Sequence, residues 1–337
     1  MIKKLKRYFI VALLILVSGY LLGPRPSKPL LDKNLLSLPA TLRNIEAYVR
    51  DKESELNIKT DNESRIIWAN DSTKERTDYC LLYLHGFSAS WYEGFPAHME
   101  FASYFGMNAY LARLAAHGLE TADPLISMSP DDLWDSAKEA LMLARSLGKK
   151  VVIMGTSTGG TLALQLAADF PEYVDGLILY SPNVRIYNSA SFLLSKPWGL
   201  QIGRKFNGGK YRISDDPLDS IECRYWYCKY RMEGVVSLQQ LVERTMTKET
   251  FQKVNVPVFL GYYYKDKNHQ DKTVRVSAML KMFDQLGTSP SQKVKVPFPE
   301  AGDHVIACEL TSGSSDEVIR ATIHFTEDVM KLKRKIQ

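Results

Sequence analysis

The segment Val151-Val152-Ile153-Met154 runs without a break into Gly155-Thr156-Ser157-Thr158-Gly159-Gly160 and then into Thr161-Leu162-Ala163-Leu164-Gln165-Leu166. Four apolar β-formers, a glycine-bracketed serine and a Leu/Ala helix make G-x-S-x-G in the context of strand, sharp turn and helix. A serine in so tight a turn stands clear of the backbone. Gly155 and Gly159 are required because a Cβ would collide where strand and helix approach. The helix start adds free N–H groups and a positive dipole end beside the hydroxyl.

The rest of the chain repeats this alternation. Short apolar runs at 66–69, 80–84, 109–114, 151–154, 176–180, 256–264 and 294–298 are separated by helical patterns at 133–147, 161–170, 274–286 and 318–332. That is the signature of an α/β fold with a mostly parallel sheet covered on both faces. Within 337 residues, 45% hydrophobic and 24% charged, there is ample core for such a domain and no case for disorder or a coiled coil. The interval 182–254 breaks the rhythm with Arg224-Tyr225-Trp226-Tyr227 and Asn207-Gly208-Gly209. It is too long for a plain loop and predicts an inserted lid above the carboxyl ends of the strands. The expected organisation is a leader at 1–24, a linker and N-terminal helix at 25–64 carrying Leu42, Ile45 and Val49, a core at 65–181 and 255–332, and the lid at 182–254.

The formal charge of +5 does not point to nucleic acid. Four of the 43 basic residues (Lys3, Lys4, Lys6, Arg7) fall in the first 24 residues, which hold no acid, so the remaining 39 face 38 acids. The run Lys331, Lys333, Arg334, Lys335 reads as a solvated helix end. A basic start, an uncharged apolar stretch from Tyr8 to Leu22 and the stop Gly23-Pro24-Arg25-Pro26 form an export segment, either a signal peptide or a membrane anchor. Cleavage stays open. The predicted location is therefore periplasmic, extracellular or anchored at the membrane by this segment. Cys80 and Cys308 read as buried hydrophobes; Cys223 and Cys228, five apart in a surface segment, could pair in an oxidising compartment, although a helical spacing of five would point them apart. No cysteine pattern for a metal site is present, and no cofactor is called for.

A serine hydroxyl needs a base, and the base needs an acid that fixes its tautomer. His304, in the turn Ala301-Gly302-Asp303-His304-Val305 after the last strand, is the predicted base, with His269 in reserve. His98 and His324 fall on helices, and His85 and His117 brace H-G turns. Asp266, directly after the strand 256–264, is the expected acid; Asp271 is the runner-up and Asp303 a weak third. The order Ser157, Asp266, His304 is the one that the elbow architecture requires. For the oxyanion, the amides of Thr158 and of Phe87, in His85-Gly86-Phe87-Ser88, are the expected donors.

With these residues the chain resembles the α/β-hydrolase superfamily over roughly 65–332. The likeness rests on the H-G-F loop at 85–87, a variant D-x-x-G-H-G segment ending in His117-Gly118, the elbow at 155–159, the acid at 266 and the histidine at 304. It looks most like the lipase and serine-aminopeptidase-like branch, which includes monoacylglycerol lipases and bacterial carboxylesterases with a helical lid after strand six. The usual aspartate of the G-H-G segment is absent from Leu111-Ala112-Arg113. The resemblance implies an α/β-hydrolase fold and a serine hydrolase of carboxylic esters that works through an acyl-enzyme on a small acyl or ester substrate. An aminopeptidase-like enzyme would need an acidic anchor, for which Glu93, Glu222 and Asp215 are available, and a non-catalytic binder of the same fold is the remaining alternative.

Overall fold

The computed structural model describes residues 2–38 and 41–335. Met1 of the leader and Pro39-Ala40 of the linker lie outside the described residues, as do Ile336 and Gln337. The strands are β1 (Arg65–Ile67), β2 (Thr77–Leu84), β3 (Asn108–Leu111), β4 (Gly148–Thr156), β5 (Gly176–Tyr180), β6 (Tyr211–Ile213), β7 (Lys229–Arg231), β8 (Val258–Tyr262) and β9 (Lys293–Pro297). The helices are α1 (Ile2–Leu21), α2 (Ile45–Ser54), α3 (Ala97–Phe105), α4 (Pro130–Leu147), α5 (Thr158–Asp169), α6 (Gly199–Asn207), α7 (Ile221–Tyr225), α8 (Met232–Thr245), α9 (Lys248–Lys253), α10 (Val276–Gln285) and α11 (Ser315–Asp328).

Seven strands form one sheet in the order β1-β3-β2-β4-β5-β8-β9. Every pairing is parallel except that of the edge strand β1, which runs antiparallel to β3. Alternation splits each central strand between two cores. Leu82, Leu84, Val151, Ile153, Leu177, Leu179 and Leu260 face the layer that holds α4, α5 and α10. Leu81, Tyr83, Val152, Met154, Ile178, Tyr180 and Phe259 face the layer of α3 and α11. Apolar residues on both faces of a strand are what a doubly covered sheet demands, which is why the runs read as continuous rather than alternating. Ser129 caps α4 by accepting from the Asp132 amide at 3.0 Å, with Pro130 in the first turn.

Between β5 and β8 the chain forms α6 to α9 together with the antiparallel pair β6 and β7, so this insertion is not purely helical. Counted along this chain's own sheet, it leaves the fifth strand rather than the sixth. Cys223 and Cys228 are joined by a disulfide with a Cα–Cα distance of 5.3 Å, the pairing that a helical spacing of five would have opposed. The reason is local: α7 ends at Tyr225, so the chain has left the helix before Cys228.

The N-terminal segments bind to the body in two ways. Ile45 and Val49 of α2 are buried in the main core, and Glu53 meets Arg113 at 2.8 Å with both side chains less than a tenth exposed. Arg113 also donates to the His117 carbonyl at 3.1 Å, so the residue that replaces the usual aspartate tethers α2 to the turn after β3. By contrast α1 is exposed from Lys3 to Leu21, and the Trp198 indole of the insertion donates to the Gly19 carbonyl in its last turn. Among the described residues no helix is long and apolar enough to cross a membrane.

Candidate active site

Ser157 sits between β4 and α5 with φ 53° and ψ −114°, a left-handed conformation for a residue with a side chain. Three backbone bonds fix it there. Its N–H donates to the Tyr180 carbonyl at the end of β5, while its own carbonyl accepts from the amides of Asn183 and Thr161. The two glycines leave no room for substitution: a Cβ on Gly159 would lie 1.8 Å from the Leu84 carbonyl oxygen, and one on Gly155 2.7 Å from Gly159. The hydroxyl of Ser157 makes no hydrogen bond among the described residues, and the residue is 6% exposed.

His304 lies in the loop after β9, as expected, but its partner is not Asp266. Its Nδ1 is 2.6 Å from Oδ2 of Asp271, whose side chain is fully buried. The other carboxylate oxygen of Asp271 accepts from the amides of Thr273 and Val274, which aims the group. Asp266 instead faces solvent and bonds to His269, which holds its carboxyl down at about 2. The physical reason is a turn. After β8 the chain folds back on itself, with the Lys265 amide donating to the His269 carbonyl and Tyr264 bridged to Gln270. Residues 265–270 therefore project into water, and Asp271 returns beside Tyr263 at the strand end. The polar run Lys265-Asp266-Lys267-Asn268-His269-Gln270 is a turn signal that, given more weight, would have shifted the choice to Asp271.

Because Asp271 only accepts, His304 donates from Nδ1 and leaves Nε2 as an acceptor. That atom is buried and has no hydrogen-bond partner among the described residues; in particular, none joins it to Ser157. Burial alone would lower the His304 pKa, but the Asp271 charge and hydrogen bond, with smaller contributions from Asp303 and Glu93, outweigh it and raise the imidazole above its usual value.

The loop after β2 closes the site. His85 is fully buried, donates from Nδ1 to the Gly86 carbonyl at 2.8 Å and accepts at Nε2 from the Leu114 amide at 3.0 Å. Burial and then the neighbouring His117 push its pKa well below the ordinary value, so it is a neutral brace. A Cβ on Gly86 would come within 3.1 Å of Ser157 Cβ, which explains a glycine at this position. The amides of Phe87 and Thr158 donate no hydrogen bond among the described residues, and they flank this contact. The Phe87 ring packs edge-on against Tyr230 of the insertion, with centroids 5.2 Å apart.

Of the other histidines, His98 is buried on α3 and bonds to the Trp91 carbonyl, His117 bonds to the Ala115 carbonyl, and His324 pairs with Asp328 on the exposed face of α11. One residue belongs to this cluster in a way the sequence did not show. Glu93, on the short turn Trp91–Gly94, is 2% exposed and accepts from the amide of Gly86.

The elbow, the buried His304–Asp271 pair and the braced loop after β2 occupy one edge of the sheet. A model of the alpha/beta hydrolase family matches residues 81–319, spanning all of these features. The chain belongs to that family. This hydrolase is 24% identical to human serine hydrolase BPHL over 145 residues, which is 41% of this chain and 46% of that protein. It thus spans about half the length of that curated relative. Among solved structures, the alpha/beta hydrolase is similar to one from work on the metagenome-derived lipolytic enzymes LipS and LipT, with a TM-score of 0.61 and 14% identity over 80% of this chain and 98% of that one. It is similar also to a soluble variant of the monoglyceride lipase of Saccharomyces cerevisiae, with a TM-score of 0.57 and 13% identity over 81% and 92% of the two chains. At such identities these likenesses establish the fold.

Proposed function

We propose that this alpha/beta hydrolase is a serine hydrolase of carboxylic esters. Ser157 attacks the carbonyl, His304 takes the serine proton at Nε2, and Asp271 holds the tautomer and stabilises the imidazolium. The amides of Phe87 and Thr158 receive the oxyanion, and water, activated by the same imidazole, releases the acid from the acyl-enzyme. The observation that carries the reading is the strained backbone of Ser157, a non-glycine residue held at φ 53° where a strand feeds a helix. The word "serine hydrolase" in the name of the human relative supports the reaction class, and "lipolytic" and "lipase" in those of the structural neighbours support an ester. The rings of Phe87 and Tyr230 next to the site favour an acyl or aryl group.

The aminopeptidase reading has less support. Asp215 is exposed on the insertion, Glu222 is half-buried there, and Glu93 is already bonded to Gly86 and Tyr83. The basic and then apolar N-terminal segment, read as an export signal, together with a disulfide of the kind that persists in oxidising compartments, supports a location across the membrane from the cytoplasm.

The test is an active-site-directed fluorophosphonate followed by a panel of p-nitrophenyl esters beside aminoacyl-anilides. Labelling of the native protein and ester turnover are expected, both lost in Ser157→Ala by a factor on the order of 10³ or more. An unlabelled native protein would return the chain to the non-catalytic alternative, and anilide turnover exceeding ester turnover would make it a peptidase.

A further inference from the structure

Glu93 is a carboxyl group buried at the site. It is 2% exposed, and among the described residues no lysine or arginine comes within salt-bridge distance of it. Its Oε2 accepts from the Gly86 amide and, at 3.3 Å, from the hydroxyl of Tyr83, which bonds in turn to Thr156 beside the nucleophile. Its Oε1 lies 2.6 Å from where a Cβ on Gly86 would stand, and Ser157 Cβ is 3.1 Å from the same point. The carboxyl therefore reaches under the loop that carries the Phe87 amide, on the side where Ser157 sits. Resting on the serine-hydrolase reading, we infer that Glu93 is a positioning residue: it ties down the oxyanion loop through the Gly86 amide and acts on His304 as a second carboxylate besides Asp271.

Burying an acid with no lysine or arginine partner costs free energy, since an apolar surround disfavours its charge; here hydrogen bonds to the carboxylate offset part of that cost. Burial pushes its carboxyl up to about 7, opposed by the Gly86 amide, the His304 charge, the Tyr83 hydroxyl and the Trp226 indole of the insertion. The segment after β9 that carries His304 and Cys308 packs against the turn of Glu93, with the Glu309 amide donating to the Phe95 carbonyl, Cys308 bridged to Pro96 and the Cys308 thiol donating to the Tyr92 carbonyl, while Tyr83 of β2 bonds to Glu93 directly; these are the titratable groups that act on it among the described residues. Of these, Tyr83 and Cys308 are pushed upward by burial and stay neutral, which leaves His304 as the group whose charge changes together with that of Glu93. Two interacting groups that titrate together give macroscopic steps that belong to the pair. At low pH both are protonated, so a neutral Glu93 withdraws its support from the imidazolium just as the base is lost. The acid limb of activity therefore reports two coupled protonations instead of one.

The experiment compares the native full-length chain with Glu93→Gln and Glu93→Ala on a p-nitrophenyl ester, reading kcat and KM separately across pH 5 to 9. Glutamine keeps an acceptor for the Gly86 amide and removes the charge. It is expected to leave kcat at its plateau within about tenfold, to move the acid limb to lower pH by about half a unit or more, and to reduce it to a single protonation. Alanine removes the acceptor as well, and kcat is expected to fall by about 100-fold with KM little changed, the size of a lost oxyanion donor. If Glu93→Ala fails to fold, the glutamine profile alone decides. A Glu93→Gln profile superimposable on the native one overturns the proposal while leaving the hydrolase reading intact. A native protein that turns over no ester and takes no fluorophosphonate overturns that reading and this inference with it.

Discussion

His304 Nδ1 and Asp271 Oδ2 stand 2.6 Å apart inside the protein, whereas Asp266, five residues earlier, bonds to His269 in water. The two aspartates are thus separated by environment, one buried and one in water, although they are neighbours in sequence. Asp271→Asn is expected to lower kcat on an ester by about 10⁴-fold, because the amide no longer selects the Nδ1-protonated tautomer. Asp266→Asn, on an exposed turn, should stay within about twofold, as ordinary surface substitutions do. Steady-state kinetics of the two variants side by side would check this, and a larger loss in the Asp266 variant would reverse the assignment.

The raised pKa of His304 fixes the direction of its pH dependence. The base acts when neutral, so kcat/KM should rise as pH increases through a value above the usual 6.5 or so for histidine. Asp271→Ala takes away the charge and the hydrogen bond that outweigh burial, so whatever activity survives should show an acid limb at lower pH. Stability has the opposite sign. His304 and Glu93 both have folded-state values raised above their unfolded ones, so the stability each contributes is present in full below its unfolded value and lost as pH rises through its folded value. Urea unfolding at pH 5 and pH 8 should show that loss, reduced in Glu93→Gln.

Gly159 is the least replaceable residue of the elbow. A methyl group there would meet the Leu84 carbonyl oxygen at 1.8 Å, and Leu84 is held in the sheet by its pairing with Gly155 of β4. Gly159→Ala is expected to cost about 3 kcal/mol or more, at the upper end of overpacking effects. Denaturant midpoints measure it, and a variant as stable as the native chain would mean that the elbow yields.

Arg113 and Glu53 form an ion pair in which neither side chain is more than a tenth exposed. Removing one partner leaves a buried charge alone, so Arg113→Ala should destabilise by roughly 3–5 kcal/mol. The double variant Arg113→Met with Glu53→Leu should recover much of this, because the pair's desolvation is then not required. Thermal unfolding of the single and double variants distinguishes the two cases.

Local chemistry was enough to define the elbow. Val151 to Leu166 can form little else than strand, turn and helix, since the glycines, the β-formers and the Leu/Ala run each favour the same local structure, and the continuous apolar runs required a sheet covered on both sides. The sequence likewise put His304 after the last strand. Which acid meets it was not local information: a six-residue turn after β8 decides whether Asp266 or Asp271 lies inside, and only its backbone bonds to His269 and Tyr263 determine this. The same holds for Cys223 and Cys228, which meet because α7 stops at Tyr225, and for Glu93, an ordinary acid in Trp91-Tyr92-Glu93-Gly94 until β2 and its loop fold over it. Spacing along the chain is read from residue types, but a contact between side chains far apart in sequence depends on how the intervening backbone closes, and that closure is a property of the packed molecule.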